Sequence, residues 1–162
     1  MVTKRSNSPL FISFTLLLSL VLAIMPMPLA FEYFRPDWPL LVIMYWSIAL
    51  PNRVNIGVAW LAGFILDLLL GTVLGIHAVT FAIISYITAS NYQKIRNFSV
   101  WQQAIIIGLF LALYHLLVFW LSHFLTDVFF IPQYMWPVLT GTLAWPWVFL
   151  LLRKYRRQFK VR

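Results

Sequence analysis

The sequence predicts an all-α membrane protein: a compact bundle of six transmembrane helices with both termini cytoplasmic. Three observations carry this. Of the 162 residues, 62% are hydrophobic and only 10% are charged, whereas a soluble domain carries about 25% charged residues. The apolar residues fall into six runs separated by short connections. The basic residues fall on alternate connections, as topology-setting charges do. No water-facing surface can be built from this composition, and the length suits one domain without a soluble module.

The first run, residues 9–25, follows Lys4 and Arg5 and stops at Pro26 and Pro28. The second, 38–50, is bounded by Pro39 and Pro51, and the third, 54–74, is interrupted only by Asp67. The fourth spans 75–90, the fifth 101–125 and the sixth 135–152, before a basic tail at 153–162. A membrane helix needs about 20 residues, within about 17–25. Runs two, four and six are near or below that floor. Interfacial Trp and Tyr residues can extend them, and thinning of the bilayer or burial against neighbours can absorb the rest. The three residues between Leu50 and Val54 force an antiparallel pair, and a Gly71–Gly75 turn does the same for helices three and four. A cleaved leader in place of helix one would end at Ala30, but Pro28 then stands where a small residue is wanted.

With the N-terminus cytoplasmic, Lys4, Arg5, Arg53, Lys94, Arg96, Arg153, Lys154, Arg156, Arg157, Lys160 and Arg162 fall inside, which is 11 of the 12 basic residues. Outside falls Arg35, with Glu32, Asp37 and Asp127. An odd number of helices would send the basic tail outward. The net charge of +8 is therefore a matter of topology and not of nucleic acid. There are no cysteines, so thiolate and disulfide chemistry are excluded.

Asp67 stands about 20 Å along helix three at 1.5 Å per residue. A charge at the bilayer centre costs about 2.5–3.5 kcal/mol on insertion scales, so Asp67 should face protein or water. Gly63, Asp67, Gly71 and Gly75 recur every four residues, and Ala59 and Asn55 extend the series backwards. This reads as a small or polar stripe for helix packing or partner binding. Asp67 is either a ligand, proton or catalytic carboxylate, or a packing-face carboxylate satisfied by hydroxyls, backbone or an arginine. Arg35 could reach back to Asp67, or Asp37 could hold Arg35 at the surface.

His77, His115 and His123 lack metal-site spacing. His115 reads as a polar interior residue or a proton relay, with Tyr114 and no carboxylate as its companion, while His77 and His123 fall near the outer interface. Ser13, Ser19, Ser47, Ser85, Thr80 and Thr88 read as interhelical hydrogen-bonding groups. No nucleophile elbow or phosphate-cradling glycine loop occurs, and one intramembrane carboxylate excludes a two-aspartate protease. No catalytic, cofactor or metal site is expected. Arg153, Lys154, Arg156 and Arg157 suit anionic lipid or a cytoplasmic partner.

The stretches RPDWPLLVIMYWSIALP (35–51), NIGVAWLAGFILDLLLGTVLG (55–75) and WPWVFLLLRKYRRQF (145–159) resemble the rod shape-determining protein MreD family over essentially the whole chain. The resemblance implies a non-enzymatic subunit of the bacterial inner membrane that pairs with MreC. Through MreC it would join MreB, RodA and the elongation penicillin-binding transpeptidase in lateral peptidoglycan synthesis and maintenance of rod shape. It also implies a fold similar to the substrate-binding subunits of energy-coupling-factor transporters, and an acidic residue in helix five, where this chain has His115. The alternative is a small-molecule-binding subunit of a membrane transporter, which suits the short helices and the buried Asp67.

Overall fold

Each apolar run forms a helix and ends where backbone chemistry stops it. The computed structural model describes residues 8–161, so Lys4, Arg5 and Arg162 lie outside the described residues. Helix α1 is Ser8–Ile24, followed by a 3-10 turn at Leu29–Phe34. Then come α2 (Trp38–Ala49), α3 (Ile56–Leu70), α4 (Ile76–Ser90), a short α5 (Tyr92–Asn97) and α6 (Val100–Thr126). A 3-10 turn at Pro132–Met135 leads into α7 (Trp136–Gln158). Among the described residues there is no strand.

The ends carry identifiable signals. The Asn55 side chain accepts from the Val58 amide at 3.0 Å and starts α3. Ser99 and Gln102 form a reciprocal capping box at the start of α6. Three boundaries differ from the sequence expectation. Helix α3 stops at Leu70 and not near 74, because Gly71 takes a left-handed conformation at φ 68° and closes the helix. Residues expected to link helices four and five form α5. Helix α7 continues past 152 to Gln158, since Arg, Lys and Gln are good helix formers and basic groups favour a helix C-terminus.

The shortest of the six longer helices is the central one. Every residue of α2 from Pro39 to Ile48 is buried, as expected for a helix that is apolar all round. Its Trp46 indole donates to Thr15 of α1 at 3.0 Å, and its Ser47 hydroxyl meets Ser85 of α4 at 3.2 Å. Tyr45 packs edge-on against Phe149 of α7 at 5.7 Å. Burial on all sides thus answers the shortness of run two. Of the other hydroxyls singled out in the sequence, Ser19, Thr80 and Thr88 bond carbonyls of their own helices and so do not link helices.

Two close helix pairs flank α2. In the α3–α4 pair, a Cβ on Gly63 would overlap the His77 carbonyl and lie 2.7 Å from the Ala78 Cα, so the backbones touch there. In the α6–α7 pair, Gly108 faces Thr142 and Gly141 faces Leu111. These two glycines mark a contact that the sequence reading passed over. Helix α6 and the stretch Pro132–Gln158 are each long and apolar enough to cross a membrane. The outer surface is apolar too: Phe124 is 89% exposed and Trp147 77%.

The glycine contacts make a prediction. At Gly63 an added methyl meets backbone, whereas at Gly141 it meets the movable end of Leu111, 2.6 Å away. Gly63→Ala should destabilise by about 1–3 kcal/mol, the usual cost of overpacking, and Gly141→Ala by clearly less. Thermal unfolding of the purified variants in detergent checks the order; equal melting temperatures would remove the backbone contact from the account.

Candidate functional site

At the end of the bundle away from the basic tail, two carboxylate–histidine pairs are built from four different elements. The first begins with Gly71 and Gly75, whose positive φ values of 68° and 102° fold the chain back so that α4 starts beside the end of α3. Gly75 occupies the N-cap of α4 and has no side chain to cap it. Asp67, fully buried on α3, performs that task. Its Oδ2 accepts from the amides of Gly75 at 3.0 Å and Ala78 at 3.4 Å, and its Oδ1 from the His77 amide at 3.2 Å. The Thr72 hydroxyl donates to Oδ1 at 2.8 Å, and the His77 ring Nδ1 lies 2.7 Å from the same oxygen. Every group that Asp67 meets can donate, and the carboxylate sits where the positive end of α4 favours it.

Gly63, Asp67, Gly71 and Gly75 therefore do not form one continuous helical face. Gly63 is a close-approach position, Asp67 a cap, and Gly71 and Gly75 the two hinges of a turn. Nothing lies within 4 Å of a Cβ built on either hinge. Asn55 caps α3, and Ala59 is buried. His77, placed by sequence near the outer interface, is buried against Asp67, whereas His123 is exposed with Nδ1 on the Val128 carbonyl at 2.8 Å.

The second pair joins Asp37, just before α2, to His115 in the middle of α6: Asp37 Oδ2 and His115 Nε2 are 2.7 Å apart. His115 has a carboxylate companion after all, 78 residues away. Arg35 pairs with neither Asp67 nor Asp37. Its guanidinium donates to the carbonyls of Ala23 and Met25, closing the end of α1 over the segment that enters α2. The carbonyls exposed where α1 stops before Pro26 and Pro28 capture the arginine.

Between the two pairs lies Tyr114. Its ring is 5.0 Å from that of His115 and 6.3 Å from that of His77. Tyr114 is buried, yet its hydroxyl has no hydrogen-bond partner among the described residues. It lines a cavity of about 240 Å³ with Glu32, Arg35, Asp37 and His77. Among the described residues no Ser or Thr hydroxyl is bonded to the ring of either paired histidine, as a nucleophile–base pair requires; of His77, the Thr80 hydroxyl meets only the carbonyl. No group of three His, Cys, Asp or Glu residues there could hold a metal. At the other end, Arg153, Arg156 and Arg157 line a second cavity, and Lys154 is exposed beside them.

The pairs are testable by double-mutant cycles. Asp37→Asn and His115→Gln should couple by about 0.5–3 kcal/mol, as contacting residues do, while Arg35→Gln and Asp67→Asn should add. Unfolding of the single and double variants in detergent measures both. Additivity at 37 and 115 would refute the contact.

The comparisons agree with the resemblance. Residues 4–155 match the profile of the family described as rod shape-determining protein MreD. A relative from Haemophilus influenzae, itself called rod shape-determining protein MreD, is 41% identical over 144 residues, covering 89% of each chain. No solved structure matches. The family is one of shape determination and not of enzymes. The chain belongs to the rod shape-determining protein MreD family.

Proposed function

We propose that this chain is a non-enzymatic, multi-pass subunit of the bacterial cell-elongation complex, lying in the inner membrane with the basic end and both termini in the cytoplasm. In this reading it binds MreC, and through MreC it joins MreB, RodA and the elongation transpeptidase that build the lateral wall. The observation that carries the reading is the family membership, over 89% of the chain and of its relative. The exposed apolar surface supports a membrane location, and the sorting of charge supports the orientation. Gly63, Asp67, Gly71 and Gly75 act within the chain, holding the α3–α4 hairpin as a rigid unit on which partners dock. The basic residues Arg153, Lys154, Arg156 and Arg157 face anionic lipid or cytoplasmic partners.

The alternative, a small-molecule-binding transport subunit, draws on the cavity at Tyr114. The volume of that cavity, about 240 Å³, falls below the roughly 300–1,000 Å³ of ordinary ligand pockets, and the family membership keeps the assembly role in front.

Absence of native cysteine makes the topology directly measurable. Single cysteines at Arg53, Lys94 and Lys154 should react only from the cytoplasmic side, and those at Glu32, Thr72 and Asp127 only from outside. Labelling of Lys94 and Asp127 from one side would contradict six crossings. For function, depletion should turn rods round, and affinity purification from native membranes should recover MreC. Recovery of a bound metabolite with no wall-synthesis partner would transfer the choice to the transport reading.

A further inference from the structure

Charge in this chain is sorted by end, and only one end neutralises itself. The described ion pairs are the two carboxylate–histidine contacts. No lysine or arginine among the described residues pairs with a carboxylate. Arg96, on α5, and Arg153, Arg156 and Arg157, on the last turns of α7, converge on a cavity of about 420 Å³ with no acidic residue in its wall. A second cavity shares Arg156 and Arg157 and adds Lys160, again without a carboxylate.

The cavity is more than a cluster of surface charges. Tyr45 of α2 and Gln103 of α6 line it, each only 2% exposed. The Tyr45 hydroxyl has no hydrogen-bond partner among the described residues. The Gln103 amide nitrogen donates to the carbonyls of Ile95 at 2.9 Å and Phe98 at 3.3 Å, which fixes its orientation and leaves Oε1 unpaired. The unpaired Tyr45 hydroxyl can take a partner from the cavity, whereas Gln103 Oε1 is closed off from it. Val100, the first residue of the 27-residue α6, also lines the cavity, bringing the positive end of a long helix to it. The requirement is thus for an anion. The apolar side chains of Phe98, Val100 and Phe149 form part of the wall. A free anion would have no use for those apolar side chains, whereas an acyl chain would.

We propose that this cavity binds the phosphate head group of an anionic membrane lipid. Arg153, Arg156 and Arg157 hold the phosphate, and Tyr45 donates to it. Arg96 adds its charge while its Nη2 stays on the Ile48 and Ala49 carbonyls, 2.7 and 3.2 Å away. The proposal rests on the lipid-facing reading of the basic end and turns a diffuse attraction into a built site.

The test uses the full chain in neutral detergent, with native mass spectrometry of added phosphatidylglycerol against phosphatidylcholine. Phosphatidylglycerol should be preferred. Arg156→Gln with Arg157→Gln should weaken its binding about tenfold, and Tyr45→Phe, which changes no charge, about threefold. Arg53→Gln with Lys94→Gln, exposed basic residues outside the cavity, should stay within about twofold. Equal loss in both arginine-containing pairs would overturn the site and leave the diffuse lipid reading standing. No preference for phosphatidylglycerol would overturn both. Inorganic phosphate binding as tightly as the lipid would reassign the cavity to a free anion. A ten-residue glutamate peptide binding in place of the lipid would reassign it to an acidic protein partner.

Discussion

A helix buried along its whole middle has few routes to water, and α2 is such a helix, buried from Pro39 to Ile48. Its first amides and last carbonyls must find partners within the protein. At its start, Pro39 has no amide to satisfy, and the Trp38 amide turns back to the Pro36 carbonyl at 3.0 Å. Asp37, at the N-cap, makes no side-chain cap; its carboxylate reaches across to His115. At its end, Arg96 crosses from α5 to the last carbonyls, and Leu50 donates to Trp46 at 2.7 Å. The two ends of α2 are thereby tied to α6 and α5, and its sides to α1, α4 and α7. The shortness of α2 is part of the same solution: a longer helix would carry its ends beyond these partners.

The α3–α4 pair solves the same problem with one carboxylate. Left unpaired in the interior, a charge of this kind costs several kcal/mol. Five donors converge on Asp67, and three of them are amides from the cap and first turn of α4. The Asp67 side chain reaches them because Gly63 lets α3 approach α4 to backbone contact and because two glycines with positive φ make the turn. Substituting any one of these parts would leave the others with unmet partners. Asp67 is thus explained by helix termination, with no need for a transported ion or a reacting group.

This also accounts for what could be read from the sequence and what could not. The six longer helices were legible because proline, glycine and charge punctuate the apolar runs, and because hydrocarbon length sets a narrow scale. Asp67 was legible as the lone carboxylate in such a run. The four-residue spacing of Gly63, Asp67, Gly71 and Gly75 misled, since it assumes a helix continuing past Gly71. A glycine four residues after an interior carboxylate is equally a helix stop, and that reading folds His77 back onto Asp67. The Asp37–His115 contact left no signal, since nothing local relates residues 78 apart. Thr15, Gly108 and Gly141 were overlooked for a related reason: a small residue in an apolar run announces close packing without naming the helix it will meet.

The two ends of the bundle handle charge in opposite ways. At the end bearing Glu32, Asp37, Asp67 and Asp127, Asp37 and Asp67 have histidines, and Arg35 is absorbed by backbone carbonyls. At the other end the described lysines and arginines have no carboxylate, although Arg96, Arg153, Arg156 and Arg157 are drawn onto one cavity. Like charges lining one cavity repel, with an effect that falls off over a Debye length of about 8 Å. The sequence could have relieved this with a single Asp or Glu on α5 or α7, and it does not. A surface kept positive at a cost in self-repulsion makes sense when the compensating charge comes from outside the chain. In the proposed reading anionic lipid supplies it, and the same charge resists translocation and keeps this end cytoplasmic. The proposed orientation and the proposed lipid site would then be two consequences of one uncompensated arginine cluster.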